Sequence, residues 1–123
     1  MFQGFIEAND VQLGVLPFQH IFALSKNICH APFVGCSVVV LPKFDLTAWL
    51  EAVQRHKITV TMIVPPILVL LAKSPIVEKY DLSSLKAVMS GAAPLSAELG
   101  DEVEARIPTL KVTQGYGLTE TSP

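Results

Sequence analysis

The stretch ITVTMIVPPILVLLA, Ile58 to Ala72, decides how this 123-residue chain folds. It is the longest apolar run, yet it falls short of the ~20 residues a membrane helix needs. Pro65 and Pro66 also divide it. A run split this way predicts a buried strand, Ile58 to Val64, followed by a buried helix. The two prolines suit the helix entry, because the first turn needs no backbone donors there. One buried strand leading directly into one buried helix is the repeating unit of an α/β sheet.

The same alternation extends in both directions. Upstream, Val11, Leu13 and Val15 alternate with Gln12 and Gly14, the period of a strand. A helix is expected from about Phe22 to Val34, with Gly35 as its C-cap residue and Pro32 kinking it or ending it early. Ser37 to Leu41 is a β-branched run that predicts a strand covered on both faces. Asp45 is placed to cap LTAWLEAVQRH, whose Leu46, Trp49, Leu50 and Val53 share one face. Downstream, SPIVEKYDLSS reads as a polar connection and LKAVMSG as a short strand. Ser96 is placed to cap a helix from Ala97 to Arg106, with Glu98 in its first turn. Leu110 to Thr113 is a last strand. The expected fold is therefore α/β, one partial domain over 1–123, with a mainly parallel sheet and helices on both faces.

Composition excludes several classes. Half the residues are hydrophobic, 16% are charged and the net charge is −2, so the chain has no electrostatic footprint for nucleic acid. No membrane span is expected. The start, MFQGFIEAND, has neither the basic nor the apolar region of a signal peptide. Cys29 and Cys36 match no zinc or redox spacing and read as free buried thiols of a reducing compartment. There is no GxxxxGK[ST] loop, no GxGxxG after a strand and no Ser-His-Asp set.

In open α/β sheets, ligands bind beyond the carboxyl ends of the strands. Three polar clusters follow strands here: PFQHIF (Pro17 to Phe22), SGAAPLS (Ser90 to Ser96) and QGYGLTE (Gln114 to Glu120). If the sheet is parallel, all three lie on one rim. Gly91, Ala92 and Ala93 let a flat ligand approach the backbone, or they simply make a tight strand-to-helix turn. Gly115 and Gly117 flank Tyr116, which can stack on a ring. Thr119 offers a hydroxyl to phosphate, and Glu120 offers hard oxygen to magnesium. A solvated loop is the alternative for this cluster. His20, alone among apolar neighbours, is either a structural histidine or part of a pocket wall. His30 and His56 are expected at the surface or at helix ends.

The segments LGVLPFQHIFAL, VVVLPKFD, VPPILVLLAKSP, DLSSLKAVMSGAAPLS and QGYGLTETSP, in this order, resemble the central part of the N-terminal domain of adenylate-forming enzymes. The branch they are similar to includes 4-coumarate–CoA ligase and other acyl- and aryl-CoA synthetases, with firefly luciferase a relative. The resemblance implies activation of a carboxylic acid, aryl or medium-chain, by ATP, followed by transfer of the acyl group to coenzyme A. It implies ATP/AMP, Mg2+ and coenzyme A as the bound groups. His20, Phe22 and Lys26 match the acid-pocket wall, and Ala92 and Ala93 match the turn along the acyl-adenylate. Gln114, Gly115, Tyr116 and Gly117 match the segment beside adenine. Thr119 matches the phosphate-contacting hydroxyl, Glu120 the magnesium-associated carboxylate and Lys43 a lysine that approaches coenzyme A. Gln19 and Lys26 depart from the coumarate-ligase pattern and put that acid in doubt. The family's phosphate loop and its C-terminal domain have no counterpart in the sequence, so the chain is expected to be a segment without turnover of its own. The alternative is a non-catalytic nucleotide-binding or interaction module. The compartment implied is the cytoplasm, or the peroxisome for a parent with a C-terminal signal. Self-association through exposed apolar sheet surface is also expected.

Overall fold

In a computed structural model, residues 6–121 are described. Five strands form one sheet: β1 (Val11–Gly14), β2 (Ser37–Val40), β3 (Val60–Ile63), β4 (Ala87–Ser90) and β5 (Lys111–Gln114). Every pairing is parallel, and the order across the sheet is β2-β1-β3-β4-β5. Helices supply the crossovers that parallel strands require. They are α1 (21–34), α2 (Leu46–His56), α3 (Pro65–Lys73) and α4 (Ala97–Arg106).

Two cores separate the layers. On one face Leu13, Ile63 and Val88 of the sheet meet Trp49, Leu50 and Val53 of α2, Leu68 and Leu71 of α3 and Val103 of α4. On the other face Val60, Met62 and Met89 lie under Ala31, with Phe22 and Val34 packed alongside. The parallel sheet with helices on both faces is therefore as the sequence predicts. The double proline opens α3 at its first two positions, and β3 is buried along its whole length.

The helix caps also form as predicted. The Asp45 carboxylate accepts from the Ala48 amide at 2.9 Å. The Ser96 hydroxyl accepts from the Leu99 amide at 3.3 Å. Gly35 closes α1 at φ +81°, a conformation that a Cβ disfavours.

Four expectations are corrected. α1 opens as an α-helix over Ile21–Ala23, widens into a π-helix over Leu24–His30 and returns to α over Ala31–Val34. Pro32 does not stop it, because the wider turns upstream shift the carbonyl ladder that its ring would otherwise meet. β2 is an edge strand whose Val39 packs on one core and Val38 on the other, so each face is covered only in part, and Val40 is 53% exposed. Cys36 is buried as expected, whereas Cys29 is exposed. The polar connection after α3 contains a 3-10 helix, Pro75–Lys79.

The amino ends of three strands are clipped together. The buried Asp10 carboxylate accepts from the Glu7 amide at 2.7 Å and the Thr59 hydroxyl at 2.8 Å. It also pairs with Lys86 at 2.7 Å. Burial pushes the Asp10 carboxyl up, but the bonds from Lys86, Glu7 and Thr59 outweigh burial and hold its pKa below the ordinary value. Asp10, Thr59 and Lys86 each precede the first residue of a strand, so the clip fixes the register of β1, β3 and β4.

Candidate functional site

Because all five strands run in one direction, their carboxyl ends share one rim. The order reverses beside β1, whose neighbours are β2 and β3. A crevice outside the strand ends is expected at such a switch point. A cavity of ≈ 710 Å³ opens there. Gly14 to Gln19 line it after β1, Val40 to Phe44 after β2, and Val64 and Ile67 after β3. Lys43 and Gln19 therefore line the same cavity from the loops after different strands.

The three predicted clusters occupy this rim. In the first, His20 caps α1, its Nδ1 accepting from the Phe22 amide at 3.2 Å. His20 itself is exposed, so one imidazole nitrogen orders the backbone at the helix start. Phe22 reaches across to the second cluster. A Cβ placed on Gly91 would stand 3.3 Å from Phe22 Cε1 and 3.8 Å from the Gly115 carbonyl. An added Cβ would push the ring back by a few tenths of an ångström.

Two hydrogen bonds carry the sheet one step beyond its strands. The Gly91 amide donates to the Ile63 carbonyl at 3.2 Å, and the Gly115 amide to the Ser90 carbonyl at 2.8 Å. Phe22, Gly91 and Gly115 thus join the three clusters at their roots. Ala92 holds φ at +71°, so the turn after β4 is strained at a residue that carries a side chain. Ala92 and Ala93 are exposed beyond it.

The third cluster stands further out. Tyr116 is 92% exposed. Gln114, Gly117, Thr119 and Glu120 are also exposed, the last two within a 3-10 turn, Thr119–Thr121. The Thr121 hydroxyl closes that turn by donating to the Leu118 carbonyl at 2.9 Å. Among the described residues, no hydrogen bond ties Thr119 or Glu120 to the other clusters. Lys26 lies in the π segment, half-buried, and desolvation lowers its pKa.

Among the described residues, no group of three or more His, Cys, Asp or Glu is placed to hold a metal ion. A single exposed carboxylate such as Glu120 fits magnesium, which keeps its waters and takes substrate phosphate as well. No helix is long and apolar enough to cross a membrane, among the described residues.

Sequence reasoning missed the polar layer beneath α1. Asn27 Nδ2 donates to Gln12 Oε1 at 2.7 Å, and Gln12 Nε2 donates to Cys36 Sγ at 3.4 Å. Gln12 is fully buried, Asn27 nearly so. Burial raises the Cys36 thiol's pKa, with the Gln12 bond opposing it. A polar residue in the alternation of β1 signalled this only weakly, because the partner lies on another element. Ser90, also fully buried, has no partner for its hydroxyl among the described residues.

The AMP-binding enzyme family matches residues 2–123. Among curated proteins, the chain is 45% identical over 119 residues to 4-coumarate–CoA ligase 1 of Petroselinum crispum, covering 97% of this chain and 22% of the relative. It is 48% identical over 119 residues to 4-coumarate–CoA ligase 2 of Nicotiana tabacum, with the same coverage of 97% and 22%. The chain therefore spans 22% of the length of these relatives. A natural red-emitting luciferase from Phrixothrix hirtus matches with TM-score 0.83 and 39% identity, over 95% of this chain and 22% of that one. A Mycobacterium tuberculosis fatty acyl CoA synthetase matches with TM-score 0.84 and 27% identity, over 94% of this chain and 22% of that one.

Proposed function

The chain belongs to the AMP-binding enzyme family, and on that premise we propose that it is the central segment of an ATP-dependent carboxylic acid–CoA ligase. The observation that carries this reading is the junction of Phe22, Gly91 and Gly115, which roots three ligand-type loops at one point of the rim. In the proposed reaction the acid's carboxylate bonds to the α-phosphorus of ATP and pyrophosphate leaves. The thiol of coenzyme A then takes the acyl group and AMP leaves. An aryl or medium-chain acid is the proposed substrate class.

His20, Phe22 and Lys26 form one wall for the acid, and Ala92 and Ala93 form the other. Gln114 to Gly117 lie along the adenine, where Tyr116 stacks on the base. The Thr119 hydroxyl donates to phosphate oxygen. Glu120 would hold magnesium, which neutralises charge on the phosphates when bound. Lys43, on the switch-point cavity, meets the phosphates of coenzyme A. These residues position groups and stabilise charge, and positioning is the main contribution such a site makes. In this proposal turnover also needs the family's phosphate loop and C-terminal domain.

A segment exchange tests the proposal. This chain replaces the matching 119 residues of the Petroselinum crispum ligase. The chimera is expected to retain acid-dependent ATP–pyrophosphate exchange and thioester formation, with a changed order of preferred acids. Glu120→Ala in the chimera is expected to depress exchange for every acid. A folded chimera inert with a broad acid panel would overturn the reading.

A further inference from the structure

We propose that Gln12 is a positioning residue: its side-chain amide, bonded to Asn27, holds α1 in the π register and so seats Phe22 on Gly91. That α1 is the acid wall rests on the function proposed above.

Three observations meet at this point. Gln12 is a fully buried amide on a central strand, between Val38 of β2 and Val60 of β3. Its oxygen takes the Asn27 amide at 2.7 Å, and Asn27 is the middle residue of the π segment Leu24–His30. The register change is visible in the backbone. The Ala31 amide donates to the Lys26 carbonyl, five residues back, whereas the Leu24 amide donates to the His20 carbonyl, four back. The Ser25 hydroxyl donates to the Phe22 carbonyl at 3.1 Å, where the ladder slips.

A π turn is normally disfavoured, and it survives where something outside the helix selects it. Here the selection is a buried amide pair. In an unbroken α ladder every residue after the slip would turn by roughly one position relative to the sheet. Asn27 would leave Gln12, and two buried amides would lose their partner, a costly outcome. Where Ala31 and Val34 stay packed on the sheet, the same slip is taken up by the amino-terminal turn instead, which lifts the Phe22 ring from Gly91.

The test needs no acid or nucleotide, so it fails or succeeds independently of the proposed activity. In the wild-type chain, NMR is expected to give slowly exchanging Asn27 side-chain protons with Overhauser contacts to Gln12, and a contact between the Phe22 ring and Gly91 Hα. Absence of the Asn27–Gln12 contact would overturn the proposal. The double variant Gln12→Leu/Asn27→Leu leaves no orphan amide. It is expected to fold, to lose the Phe22–Gly91 contact and to speed exchange of the Ala31 amide at least tenfold. A folded double variant that keeps both signals would also overturn it. The exchanged pair Gln12→Asn/Asn27→Gln restores an amide–amide bond. It is expected to recover the Phe22–Gly91 contact that the single variant Gln12→Ala loses. Failure of that recovery in a folded protein assigns Gln12 to packing alone and sinks the proposal.

Discussion

Ala92 sits at φ +71° in the turn that follows β4. An L-residue there costs about 1–2 kcal/mol from its Cβ against the backbone. Glycine would relieve that cost while adding some freedom to the unfolded chain. Ala92→Gly is therefore expected to stabilise the fold by about 0.5–1 kcal/mol, read as a higher urea midpoint. No change, or a lower midpoint, would show that the turn carries no strain. Asp10 gives a second residue-scale expectation. Its carboxyl is held below the ordinary pKa, so its contribution is present above the unfolded value and fades as pH falls through the folded one. Thermal stability should drop as the pH falls below about 4, the unfolded value of an aspartate. Asp10→Asn should flatten that part of the profile and cost about 2 kcal/mol at neutral pH. Asp81 will titrate in the same range, because the Ser83 hydroxyl, the Ser83 amide and Lys57 pull it to about 2; Asp10 must be followed by its own resonance. Neither Ala92 nor Gln12 could be read from the sequence in these roles. A φ angle leaves no mark on composition, and the polar slot of an alternating strand looks the same whether solvent or an amide partner fills it.

At the scale of elements, local chemistry was most legible where one residue satisfies one backbone group. Asp45 and Ser96 cap their helices where the sequence predicted. Asp45→Ala is expected to cost about 1 kcal/mol. Ser96→Ala should cost somewhat less, since its bond is the longer of the two, at 3.3 Å against 2.9 Å. Equilibrium denaturation of both variants checks the order. The double proline was equally clear, because it both ends β3 and starts α3. The π segment was not legible. Its local signals, Pro32 above all, argued for an interrupted helix, and the groups that preserve it belong to β1. The extent of cover on β2 was not legible for a related reason: a β-branched run reports packing on a pleated surface and leaves open how far the helices reach over each face at the sheet's edge.

For the whole molecule, the convergence of three loops was legible from alternation alone, since parallel strands must end on one side. The order of the strands was not, and it is the order that puts the cavity of Lys43 beside β1. Self-association was expected through sheet faces. Val40 on the edge strand β2 is 53% exposed, and on α1 Phe33 is 88% exposed and Ile28 44%. Contiguous exposed apolar surface favours association. We therefore expect a concentration-dependent sedimentation coefficient for the wild-type chain, reduced in Phe33→Ser. A wild-type coefficient that does not vary with concentration would exclude self-association.

The placement of β1 also has a bearing on biosynthesis. This strand leaves the ribosome before the other four, yet one of its two partners is β2 and the other is β3, which begins at Val60. Until that residue emerges, the nascent polypeptide carries a half-paired hydrophobic ribbon with a bare flank. Pairing across such a sequence separation is slow to form, so the growing chain must be shielded or must wait, and a pause in translation near Lys57 would lengthen its most vulnerable moment.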